Sequence, residues 1–222
     1  MLTLPELWIL LALDEKAGNL KIPRSVFQCG ITGAMLLELA FIHRLSLAEG
    51  KKVKMLDTTP LNDPLLTKAL RLIAKSKKPQ TLLNWMIHLT MQDSRVIESF
   101  YFKQMINQDI LKMEVRPVMG IFKSKRTFPT SKDMQVQIIQ SLTKVIHKDF
   151  PKENRLVCLL GLVARSDQAE KLLGEEQALL LAKNSIGIFS HLEEKHFDAT
   201  FFPFFVAVLE ALNLSQQSAG SY

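Results

Sequence analysis

The stretch from Asp198 to Leu212 most limits how this chain can fold. Phe201, Phe202, Phe204, Phe205, Val206, Val208, Leu209 and Leu212 leave it almost no polar face when wound as a helix. A helix that is apolar all round belongs inside a domain core. It is too short to cross a bilayer, which takes about 20 apolar residues. The segment is therefore expected to be the most buried element of a packed helical domain. With 222 residues, 47% of them apolar and 23% charged, the chain has material for one such domain.

The remaining pattern is mostly helical, with two interruptions of strand character. Thr3 and Glu6 form a capping box ahead of a helix over 4–14. A short strand is expected over 20–22. Ser25 to His43 has helical spacing despite Gly30 and Gly33, which imply close packing or backbone facing a ligand. Leu45–Leu47 and Val53–Leu56 flank a basic turn and read as a hairpin. Pro64 opens a helix to about Lys75, Pro79 a second, and Asp93 a third ending near Asn107. Ile110–Val115 and Ile121–Arg126 make a second hairpin, and helices over 132–147 and from Pro151 to Arg165 follow.

Helix, basic hairpin, proline turn and helix thus occur twice in the same order. This predicts an internal duplication over roughly 25–78 and 93–148, packed into one unit. A single domain over 1–214 with a loose polar tail over 215–222 is expected.

Charge is uneven along the chain. Nine basic residues between Arg44 and Lys78 face three acids, and seven between Lys103 and Lys132 face two. From Asp167 to Asp198 seven acids face three lysines. The basic two-thirds suits an anionic surface, either phospholipid or nucleic acid.

Signatures of catalysis are missing. There is no phosphate-binding loop, dinucleotide fingerprint, nucleophile elbow or HExxH motif. The five histidines have no partners at metal-ligand spacing. Cys29 and Cys158 stand far apart in apolar helical stretches and read as buried thiols. The expectation is a soluble intracellular non-enzyme without metal or cofactor.

Several stretches together resemble the Golgi phosphoprotein 3 family. They are Leu2–Glu6 with Leu10–Asp14, Gly30–Ala40, Thr59–Leu66, Thr81–Trp85, Gln104–Leu111 and Ala199–Asn213, in the family's order over nearly the whole chain. The resemblance implies a mainly α, single-domain fold: a central helix bundle ringed by amphipathic helices, with the two β-hairpins. It implies a peripheral membrane adaptor that binds the head group of phosphatidylinositol 4-phosphate and forms homo-oligomers. The cytoplasmic tails of membrane enzymes are the implied protein partners. The implied location is cytoplasmic and peripheral on membranes, at the cytosolic Golgi face in a eukaryote.

Carried over by position, the family's lipid pocket changes here. Its Trp falls at Pro23, its first Arg at Thr32, and its two further Arg at Arg95 and Glu98. Arg95 and the neighbouring Arg24 are the candidate phosphoinositide contacts. The second hairpin offers Val118, Met119, Ile121 and Phe122 beside Lys123, Lys125 and Arg126, a mixture suited to a lipid interface or an oligomer contact. Two other readings compete: a winged-helix-like nucleic-acid binder, and a protein-interaction adaptor without lipid binding. The stretch Gly30–Leu39 makes a poor recognition helix, because it carries no Arg, Lys, Asn or Gln for base edges. Nucleic acid is therefore the least expected partner.

Overall fold

A computed structural model describes residues 2–118, 122–147, 154–195 and 197–219. Its elements are α1 (Leu4–Ala12), α2 (Arg24–Phe41), β1 (Leu45–Ala48), β2 (Lys52–Met55), α3 (Pro64–Ala74) and α4 (Leu82–Asn107). Then come β3 (Leu111–Val118), β4 (Phe122–Pro129), α5 (Lys132–Ile146), α6 (Asn154–Arg165), α7 (Ala169–Leu173), α8 (Glu175–Lys195) and α9 (Phe201–Ala219). The fold is mainly α, with two separate antiparallel strand pairs, β1–β2 and β3–β4.

The centre is α1, and every one of its nine residues is buried. It displaces α9 as the most buried element, because α9 exposes Pro203, Glu210 and Leu214. Around α1 pack α2, α5 and α6, and α9 lies against α2, α4 and α6. The two glycines of α2 answer the question their presence raised. A Cβ on Gly30 would come within 2.1 Å of the Trp8 ring, whose Nε1 donates to the Phe27 carbonyl at 3.0 Å. Gly30 thus lets the backbone of α2 press on the indole. Gly33 faces Leu162 and Val208 across ordinary close contacts.

A helix buried end to end needs partners for its terminal amides and carbonyls. Here distant residues supply them. The Leu4 amide donates to the Glu38 carboxylate at 3.0 Å. At the other end the Gln135 amide donates to the Leu13 carbonyl at 2.7 Å and also to the Leu10 carbonyl.

Three sequence expectations change. The helices expected from Pro79 and from Asp93 are one helix, α4, capped by Thr81, whose hydroxyl accepts from the Asn84 amide at 3.3 Å. Asp93 begins nothing, because its carboxylate holds Lys68 at 2.6 Å and no Gly or Pro interrupts the helix there. The strand over 20–22 reduces to a single bridge between Leu13 and Leu20. Helix α9 starts after Asp198, whose carboxylate caps the Thr200 and Phe201 amides at 2.8 and 2.7 Å, but it continues to Ala219.

The two helix–hairpin–helix units share their joints. Helix α2 ends at His43 with φ 56°, where the His43 amide donates to Ala40 and the Arg44 amide to Leu39. Helix α4 ends at Asp109 with φ 55°, where the Asp109 amide donates to Ile106 and the Ile110 amide to Met105. This is the same left-handed helix stop. Each hairpin then closes alike: the Leu56 amide donates to Arg44 and the Thr130 amide to Ile110, both at 2.9 Å.

Candidate functional site

The second hairpin carries the main exposed apolar and cationic mixture. Directly opposed residues of an antiparallel pair share a face, and successive residues alternate. Val115 opposes Lys125 and Met113 opposes Thr127, so these four share one face. On it Met113 is 51% and Val115 58% exposed, beside an exposed Lys125. The other face has Lys112 opposite Phe128 and Glu114 opposite Arg126. Phe128 is buried against Gly18, whose positive φ of 65° and missing Cβ leave room for the ring. The Thr127 amide donates to the Gly18 carbonyl at 3.0 Å and holds the hairpin base in place.

Val118 and Phe122 form the last pair of the ladder. Met119 and Ile121 lie outside the described residues, as do the side chains of Val118 and Phe122. The apolar residues that the structure does expose, Met113 and Val115, escaped the sequence reading. Alternation over 111–116 signals them as one face, but it cannot say whether that face points inward.

Exposed cations accompany the hairpins. Lys52 and Lys54 on β2, and Arg71, Lys75, Lys77 and Lys78 in and after α3, are exposed and make no ion pair among the described residues. Lys51 pairs with Glu210 of α9.

The candidate phosphoinositide residues lie where α2 starts beside α4. Arg24 Nη2 is 3.3 Å from Glu98 Oε1, and Gln28 Nε2 donates to Glu98 Oε2 at 3.3 Å. The Glu98 side chain is 14% exposed, against 65% for Arg24. Arg95, one turn earlier on α4, is exposed and makes no ion pair among the described residues. Pro23 occupies the helix cap and gives no side-chain hydrogen bond. Thr32 is fully buried, and its hydroxyl donates to the Gln28 carbonyl at 3.0 Å. The structure thus joins Arg24 to Glu98 and turns Thr32 away into the core.

A separate open cleft of about 750 Å³ runs between the start of α1, the start of α3 and the end of α4. Its wall includes Glu6, Asp63, Asn62, Gln104 and Gln108, and no Lys or Arg.

Cys29 and Cys158 are both buried free thiols, and burial pushes the Cys158 thiol far up. Among the described residues no three His, Cys, Asp or Glu side chains gather as a metal site. No described helix is long and apolar enough to cross a membrane.

These features define a helical domain with no membrane-spanning helix among the described residues, which presents an apolar and cationic hairpin. The model of one family, Golgi phosphoprotein 3 (GPP34), matches residues 4–186. The chain belongs to that family.

Proposed function

We propose that this chain is a peripheral membrane adaptor, not an enzyme, which engages anionic phospholipid head groups at a cytosolic membrane face. In a eukaryote that face is the Golgi's. The observation that supports this most is the β3–β4 face, where Met113 and Val115 stand exposed beside Lys125. Apolar side chains flanked by lysines suit the boundary between head groups and acyl chains. Val118, Met119, Ile121 and Phe122 at the tip extend the same surface, which also serves as the contact in a homo-oligomer. Arg24 and Arg95 are the head-group contacts in this reading. The two helix–hairpin–helix units, roughly 25–78 and 93–148, are duplicates that share one core.

The test is co-sedimentation with phosphatidylserine vesicles. Met113→Asp with Val115→Asp should abolish binding while the thermal midpoint stays put, because both side chains are exposed. Unchanged binding by that variant refutes the hairpin's role.

A second role as a protein adaptor is favoured by the cleft beside α1. Its carboxylates and carboxamides, without any cation, suit the basic cytoplasmic tail of a membrane enzyme.

A further inference from the structure

We infer that Glu98 closes the anion-binding corner between α2 and α4 to a phosphomonoester, so that this chain takes anionic surfaces without selecting a phosphoinositide. The membrane half of this statement rests on the function proposed above.

The corner has the makings of an anion seat. Helix α2 is 18 residues long, and neither a side-chain cap nor an acid in its first turn compensates its positive end. Arg24 stands on that first turn, Gln28 one turn on, and Arg95 faces solvent on α4. The family resemblance places its head-group pocket here, so the fit can be judged on the donors present.

They do not fit, and a single carboxylate is the main reason. A phosphomonoester carries nearly two negative charges and is held by several charge-assisted hydrogen bonds. Both Glu98 oxygens already take the donors such a group needs, one from Arg24 and one from Gln28, each at 3.3 Å. Because Glu98 is mostly buried and Arg24 mostly exposed, the carboxylate lies beneath the guanidinium. An anion drawn to Arg24 from solvent meets that like charge directly behind it. The Thr32 hydroxyl is committed to the Gln28 carbonyl and offers no replacement. Arg24 and Arg95 still add to the general attraction of an anionic surface, since that attraction depends on net charge and not on a fitted seat.

The experiment titrates the full chain with soluble glycerophosphoinositol 4-phosphate by calorimetry. In parallel, it measures binding to phosphatidylserine vesicles with and without phosphatidylinositol 4-phosphate at matched total charge. The wild-type chain should give no saturable heat and bind both vesicle types alike. Glu98→Gln, which keeps the shape and removes the charge, should take the soluble head group at least about tenfold more tightly than wild type. Arg24→Ala added to Glu98→Gln should cancel the gain. Glu98→Ala should reproduce the gain, and circular dichroism confirms that each variant is folded. Saturable wild-type binding that Arg24→Ala removes overturns the inference. So does a folded pair of Glu98 variants no tighter than wild type. Absence of wild-type binding to phosphatidylserine vesicles sinks the membrane reading alone, since the soluble titration judges the corner without a membrane.

Discussion

Arg155 of α6 grips Glu38 of α2 inside the domain: Nη2 lies 2.6 Å from Oε1, and Nε donates to Oε2 at 2.9 Å. The same carboxylate accepts the Leu4 amide, so one buried acid ties together the starts of α1 and α6 and the body of α2. The guanidinium also stacks over the Phe41 ring at 4.5 Å. Removing one member leaves the other charge buried and unpaired, which costs about 3 to 5 kcal/mol. Arg155→Ala should therefore lower the denaturant midpoint sharply. A loss below about 1 kcal/mol, the range of exposed pairs, counts against this role.

The two glycines of α2 should behave differently. A methyl group on Gly30 would overlap the Trp8 ring at 2.1 Å, and a buried indole has nowhere to go. Gly30→Ala should destabilise by about 1 to 3 kcal/mol, the usual range for an overpacked core. On Gly33 the nearest atoms are 3.3 and 3.4 Å away, on Leu162 and Val208. Gly33→Ala should be close to neutral, helped by the better helix propensity of Ala. Equal thermal midpoints for the two variants contradict the packing described.

Deep burial of Phe205 gives a third expectation. Its ring is fully buried and lies 2.7 Å from where a Gly161 Cβ would be. Phe205→Ala should cost about 3 to 5 kcal/mol, read from chemical unfolding. A cost below about 1 kcal/mol places the ring outside the core.

Stability should fall at alkaline pH. Burial, then the Asp63 charge and hydrogen bond, push the Tyr101 hydroxyl well above its ordinary 10.0, and burial pushes the Cys158 thiol above 9.0. Both groups keep their protons longer in the folded state than in the unfolded one. Their contribution is complete below about pH 9 and is lost as pH rises through the folded-state values, at about 1.4 kcal/mol per pH unit for each group once the unfolded chain ionises. Tyr101→Phe should flatten the slope above about pH 10. An unchanged slope in that variant rules Tyr101 out as a source.

Vesicle binding should be salt-sensitive. Each Lys or Arg near an anionic surface contributes about 1 kcal/mol, screened over a Debye length of about 8 Å at physiological salt. Binding to phosphatidylserine vesicles should drop steeply between low and physiological salt. Arg95→Ala should weaken it no more than Lys125→Ala does. Salt-resistant binding abolished by Arg95→Ala alone contradicts the electrostatic account.

Much of the architecture was legible in the residue order. Apolar spacing marked α1, α2 and α9, and the turn residues after α2 and α4 marked the two hairpins, because neighbours three or four positions apart decide local conformation. The continuity of α4 was not legible, since Asp93 resembles a helix start until Lys68, from another helix, claims its carboxylate. The ranking of α1 above α9 in burial was equally hidden. Only packing decides which of two apolar helices is surrounded on all sides. The same holds for the polar groups of the interior. Glu38 meets Arg155 and Gln135 meets Leu13 across more than a hundred residues of chain, and no local pattern announces such pairs. At the α2–α4 corner the sequence supplied Arg24, Arg95 and Glu98 as separate charges. The fold alone set Glu98 against Arg24, because a long-range ion pair depends on where two helices cross and not on the spacing within either.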